Sequence, residues 1–126
     1  MTTEETATYE IYTSGRFQVE QSNESEFVEA WSEFAAWVSQ QPGAGTLRLF
    51  RDVRNAGRFI ALGEWDDADA VSEWKNSAEF KERIGRVVRQ ATEFEPTEYV
   101  TLAKATEGAV ESLSPPGGLE PIHAPS

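Results

Sequence analysis

The chain has 126 residues, 39% hydrophobic and 11% aromatic, which suits a single domain with a real core. A formal net charge of -11 argues against nucleic acid, whose phosphates need a cationic face, and equally against an anionic membrane surface. There is no Cys, so disulfides, thiolate metal sites and Cys nucleophiles are excluded.

The start, Met1-Thr2-Thr3-Glu4-Glu5-Thr6, is polar and acidic. It has neither the basic start nor the apolar stretch of a signal peptide. No segment approaches the ~20 apolar residues of a membrane span. The expectation is a cytoplasmic protein with residues 1–7 as a loose, disordered tail.

Tyr9 to Val19 is rich in Tyr, Ile, Thr, Phe and Val and reads as a first strand, bulged at Gly15. Asn23 followed by Glu26 reads as a capping box that opens a helix. Phe27, Trp31, Phe34 and Val38 then recur at helical spacing and form one apolar stripe. Gln41-Pro42-Gly43 ends that helix. Thr46 to Val53 reads as strand two and Arg58 to Trp65 as strand three, joined by a hairpin at Arg54-Asn55-Ala56-Gly57.

Asp66 or Asp67 caps a short helix through Trp74. Asn76 or Ser77 caps another, with Phe80, Ile84, Val87 or Val88, and Ala91 along one side. Phe94-Glu95-Pro96 breaks the pattern, and Tyr99 to Ala103 reads as strand four. Residues 106–126 are rich in Pro, Gly, Ser and Glu, without Lys, Arg or periodicity. They read as a disordered C-terminal tail.

The order strand, helix, strand, strand, helix, strand predicts an α+β fold over residues 8–105: a ferredoxin-like βαββαβ unit with an antiparallel sheet. Strand three is apolar on both sides, with Phe59, Ala61, Gly63 and Trp65 on one and Ile60 and Leu62 on the other. Both sheet faces should therefore be buried. One subunit has helices for one face only, so the expected partner is a second copy in a homodimer.

Gly43-Ala44-Gly45 precedes a strand and so is no phosphate loop. No flavin or nicotinamide fingerprint, Ser-His-Asp set or metal cluster appears, so no cofactor and no metal are expected. Arg83, Arg86 and Arg89 read as a solvated helix face paired with neighbouring Glu.

Several of these features fall in an order that resembles the antibiotic biosynthesis monooxygenase (ABM) domain family. They are the Phe27-to-Val38 helix, the Gln41-to-Gly43 turn, Trp65 closing strand three, an acidic helix start with Ala70, then Trp74 and the Ser77-to-Phe80 helix start. The resemblance covers about Thr8 to Ala105. It implies a dimeric α+β barrel with a cavity in each subunit between helices and sheet. Activities known in the family include cofactor-independent oxidation of aromatic polyketides, haem degradation and quinol oxidation.

The haem-degrading branch carries an Asn on strand one, a Trp on the second helical segment and an axial His about three turns later. Trp74 matches the Trp, but strand one has no Asn and Ile84 stands where the His would be. The chain's single His is His123, in the tail, so haem degradation by that route is not expected. The quinone-forming branch carries an Asn on strand three ahead of a Trp. Trp65 matches that Trp, and Ala61 stands at the Asn position.

The resemblance therefore implies a cofactor-independent monooxygenase acting on a small aromatic molecule such as a phenol, quinol or polyketide-like compound. The alternatives are a non-catalytic ligand-binding or structural module of the same fold, and a polyketide cyclase-type enzyme. Trp74 and Trp65 are the candidate catalytic residues, with Phe27, Trp31, Asn76, Phe80 and Ile84 as substrate-binding walls. The competing reading makes both Trp residues packing aromatics of core or interface.

Triplet oxygen reacts slowly with closed-shell organics, so the substrate must supply the electron as a phenolate or enolate, and the protein must bind that anion away from water. Candidate donors are Arg16, Arg48, Asn76, Trp65 and Trp74. Glu64 or Asp66 would serve as base if buried.

Overall fold

Alternating apolar residues in two neighbouring strands decide where the core lies. The structure, a computed structural model, describes residues 10–113. β1 (Ile11–Gln18) and β3 (Arg58–Trp65) form the central pair of a four-stranded sheet, with β2 (Ala44–Arg51) beside β3 and β4 (Glu93–Val100) beside β1. Every pairing is antiparallel. The register sets Ile11 opposite Trp65, Thr13 opposite Gly63, Gly15 opposite Ala61 and Phe17 opposite Phe59. Those residues share one face. The fold is the expected ferredoxin-like α+β arrangement.

α1 (Glu24–Val38), α2 (Ala68–Asn76) and α3 (Ala78–Val88) cover that face. The α1 stripe is buried as its spacing predicts: Phe27, Trp31, Phe34 and Val38 all lie in the core. Phe27 is fully enclosed, with its ring 4.9 Å from Phe17 and 5.0 Å from Phe59. Burying an aromatic of this size contributes on the order of 2–3 kcal/mol.

Two of the predicted caps resolve to single residues. The Asp67 carboxylate accepts the N–H of Ala70 at 2.8 Å and opens α2. The Ser77 hydroxyl accepts the N–H of Phe80 at 3.1 Å and opens α3. The capping box at Asn23 does not form. Its side-chain amide instead donates to the Gln90 carbonyl at 2.8 Å and to Gln90 Oε1 at 3.0 Å. Asn23 thus ties the start of α1 to the end of α3, a use that local spacing cannot reveal.

Strand boundaries shift where side chains take over the backbone. β2 ends at Arg51 rather than Val53, because Asp52 Oδ1 accepts the N–H groups of Arg54 at 2.7 Å and Asn55 at 3.1 Å and starts the turn. Gly57 completes that turn at φ +86. Gly15 carries no bulge: β1 pairs in unbroken register on both sides. The irregularity lies in β2, between Ala44 and Leu47.

β4 begins at Glu93, so Pro96 lies inside it, opposite Gly15. β4 is a sheet edge, where a residue without an N–H costs little if its nitrogen faces solvent. The interruption read from Phe94-Glu95-Pro96 is therefore part of strand four.

Regular structure also continues past the expected domain end. β5 (Ala103–Thr106) and β6 (Ala109–Ser112) form a hairpin. It turns through Glu107 at φ 52 and Gly108 at φ 87, the positive pair that a two-residue hairpin turn demands. Every residue of both strands is exposed, so no burial period marks them. Lys104 Nζ reaches Glu10 Oε2 at 2.6 Å and anchors the hairpin beside β1. That contact holds the Glu10 carboxyl below, and the Lys104 ammonium above, their ordinary values.

The rest of the expected tails, residues 1–9 and 114–126 with His123, lies outside the described residues. Among the described residues no helix is long and apolar enough to cross a membrane.

Candidate functional site

Small residues at the centre of the sheet leave space beneath the helices. Gly15, Ala61 and Gly63 are neighbours on the helix-covered face. A Cβ on Gly15 would lie 3.1 Å from ring carbons of both Phe17 and Phe94. One on Gly63 would lie 3.1 Å from Thr13 Oγ1 and 3.3 Å from Leu47 Cγ. The glycines let these side chains close over the strands and form a floor.

Above the floor is a half-open cavity of about 50 Å³. That is room for water, and well below the roughly 150 Å³ of an apolar cavity that takes up a benzene ring. Trp31 and Phe34 of α1, Trp74 of α2, and Phe80 and Ile84 of α3 supply apolar wall. Phe80 and Ile84 are only partly buried.

The two candidate Trp rings pack against each other at a tilt, and their polar atoms differ. Trp65 closes β3 at 4% exposure, and its Nε1 donates to Thr13 Oγ1 at 3.0 Å. Trp74 lies against it, with ring centroids 4.7 Å apart and planes at 33°. Phe80 packs edge-on to Trp74 at 4.5 Å. The Trp74 Nε1 is buried and has no hydrogen-bond partner among the described residues. A buried donor left unpaired costs about 1–3 kcal/mol. Such a group calls for a specific cause.

Of the residues read as site candidates, Trp74, Trp31, Phe80 and Ile84 meet at this cavity. Trp65 backs Trp74 without lining it. Phe27 lies behind the wall, in contact with Phe17 and Phe59. Asn76 ends α2 exposed and away from the cavity. The other candidate groups are elsewhere. Arg16 pairs with Glu95 at 3.8 Å and Arg48 with Glu64 at 3.5 Å, on the opposite sheet face. Asp66 is exposed. Neither carboxylate considered as a base touches the cavity.

Two residues emerge only from the structure. Thr13 is 8% exposed and is the acceptor that fixes Trp65. Lys75 lines the cavity, and its Nζ donates to Glu98 Oε2 on β4 at 2.9 Å. Lys75 follows Trp74 directly in sequence, which was a usable signal. Its pairing depends on Glu98 standing opposite Thr13, and that register appears only once β4 is seen to begin before Pro96. Trp37, off the main stripe, is half-buried beneath the Arg83 guanidinium at 4.9 Å, and Arg83 also pairs with Glu79 at 2.9 Å.

The family model for antibiotic biosynthesis monooxygenases matches residues 11–85. SnoaB from Streptomyces nogalater, described as a cofactor-independent oxygenase, has a TM-score of 0.65 at 21% identity, covering 80% of this chain and 99% of that one. A candidate antibiotic biosynthesis monooxygenase from Deinococcus radiodurans has a TM-score of 0.65 at 16% identity, covering 82% of this chain and 99% of that one. A conserved protein from Methanosarcina mazei reaches 0.66 at 19% identity, covering 73% of this chain and 92% of that one. Likeness at these identities establishes a shared fold. No curated protein matches the chain.

The Trp65–Thr13 bond yields a direct prediction. Thr13→Val keeps the side-chain shape and removes the acceptor, leaving a second buried indole N–H unpaired. Urea denaturation should show a loss of about 1–3 kcal/mol. A loss below about 0.5 kcal/mol would mean that the bond does not hold Trp65.

Proposed function

Because the chain belongs to the antibiotic biosynthesis monooxygenase family, we propose that it is a cofactor-independent monooxygenase. Its substrate is a small phenol, quinol or polyketide-like aromatic, bound between helices and sheet. The observation that carries this reading is that Trp74, whose buried Nε1–H has no partner among the described residues, is part of the wall of an apolar cavity. A substrate oxygen supplies the missing acceptor. The aromatic walls of Trp31 and Phe80 supply the surface for a ring.

The cavity of about 50 Å³ does not hold such a ring without movement. Phe80 and Ile84, on the half-exposed side, swing outward as the ligand enters. Trp65, held by Thr13, keeps Trp74 from following them.

The chemistry balances without a further reductant. A phenol with a hydrogen at the reacting ring carbon loses its O–H proton to water. The electron-rich phenolate passes an electron to O₂, and the radical pair collapses to a new C–O bond. The resulting peroxide takes up one proton. Loss of the C–H proton and cleavage of the O–O bond then give a carbonyl and one water. In sum, one phenol and one O₂ become one quinone and one H₂O. The protein's part is to exclude water from the intermediates and to hold the developing oxyanion on a fixed donor.

A specific observation favours a second reading, a ligand-binding module without catalysis. Among the described residues, the cavity lining includes no carboxylate and no imidazole to act as base.

The subunit is half of the working unit on this proposal. The sheet face away from the helices exposes Phe50 at 46%, Ile60 at 40% and Tyr99 at 47%. A second copy laid on that face covers them, and obligate interfaces of this type bury over ~2,000 Å². Light scattering at micromolar concentration should report twice the 14.0 kDa of one chain. A stable single-chain mass would rule the homodimer out.

The functional test is Trp74→Phe, which keeps most of the apolar area and deletes the N–H. Oxygen consumption with a quinol or naphthol should fall by about 10², while stability changes by only about 1–2 kcal/mol. Equal turnover in both proteins would remove Trp74 from the chemistry. Binding without oxygen uptake by the unmutated protein would select the second reading.

A further inference from the structure

We infer that Lys75 selects the anionic form of the ligand, with the Glu98 carboxylate as its displaceable counter-ion. The inference rests on the proposal that this cavity binds an aromatic, and it narrows the ligand to one bearing an ionisable phenol, bound as the phenolate. Trp74 places a neutral donor beside the cavity, and Lys75, the next residue of α2, adds a cation.

Among the described residues, Lys75 is the one charged side chain in the cavity lining. The rest of the lining is aromatic, aliphatic, small or hydroxyl-bearing. In a chain of net charge -11, a cation on such a wall marks the place where an anion is tolerated.

The ion pair is asymmetric in a way that fits exchange. The Lys75 side chain is 26% exposed, whereas Glu98 is 53% exposed and stands on the edge strand β4. Of the two side chains, Lys75 is the less exposed and is the one in the cavity lining. Glu98 accepts the Lys75 ammonium at 2.9 Å. A solvent-exposed pair of this kind contributes little, so releasing Glu98 to water costs little.

An ammonium beside a phenol oxygen favours the charged form and lowers the phenol's pKa. Ligand binding is then an exchange on Nζ: the phenolate oxygen arrives, the Glu98 carboxylate leaves to solvent, and the phenol proton passes to water. No base within the protein is required, which accounts for a cavity lined without a carboxylate. Lys75 acts by charge.

The test uses 4-nitrophenol, whose phenolate has its own visible absorption band, with the full chain. The pH is set where half of the free compound is ionised. The protein should shift the bound population to phenolate. Lys75→Met should weaken phenolate binding about tenfold, the equivalent of one pKa unit, and leave binding of the neutral form unchanged. Lys75→Arg should restore the preference. Glu98→Gln should tighten phenolate binding, because the competing anion is gone, and the gain should vanish in the Lys75→Met/Glu98→Gln double variant.

A merely structural ion pair predicts the opposite for Glu98→Gln: weaker or unchanged binding. That sign can be read even if Lys75→Met folds poorly. The inference is overturned if nitrophenol fails to bind, if it binds as the neutral phenol, or if the Glu98→Gln gain persists without Lys75. Phenolate-selective binding without oxygen uptake supports the role of Lys75 and removes the oxygenase reading. Neutral binding with oxygen uptake intact does the reverse.

Discussion

The hydrogen bond from Trp65 Nε1 to Thr13 Oγ1, 3.0 Å long and buried, is the contact on which the site depends. It joins the end of β3 to the middle of β1 and fixes the plane of the Trp65 indole. Trp74 packs against that plane at 4.7 Å and is fixed in turn. The Trp65 N–H has its acceptor in Thr13, whereas the Trp74 N–H has none among the described residues, although both indoles are deeply buried.

Space is set by a second constraint. Gly15 and Gly63 lie where a side chain would collide with Phe17, Phe94 or Leu47. The rings that close over the glycines make the floor, and Trp31 and Phe34 of α1 stand above it. Phe80 and Ile84 of α3 narrow the cavity from the other side. α1 buries four residues in the core, whereas α3 buries Val87 alone.

Much of the fold was legible in the sequence because its signals are local. The α1 stripe, the span of β3, and the caps at Asp67 and Ser77 need only spacing and residue type. What was not legible depends on distant partners. Asn23 looks like a cap but bonds to Gln90 across the helices. Pro96 looks like a break but sits on a sheet edge. The β5–β6 hairpin has no buried face, so no period announces it. At the candidate site, Trp74, Trp31, Phe80 and Ile84, read from helical spacing and family likeness, line the cavity. Phe27 and Asn76 share that spacing or neighbourhood but miss the cavity. Thr13 and Lys75 were not found, because their partners Trp65 and Glu98 are set by strand register.

The central claim is that the Trp74 N–H is held for a ligand oxygen. Its most direct test is the ¹⁵N–¹H spectrum of the indole side chains, with the Trp74 resonance assigned by its loss in Trp74→Phe. On titration with 1-naphthol, the Trp74 indole proton should move downfield as it gains an acceptor. The Trp65 resonance, already bonded to Thr13, should stay near its starting position. If the Trp74 signal is unmoved at saturation, or moves no more than that of Trp65, the ligand does not meet this N–H and the account fails.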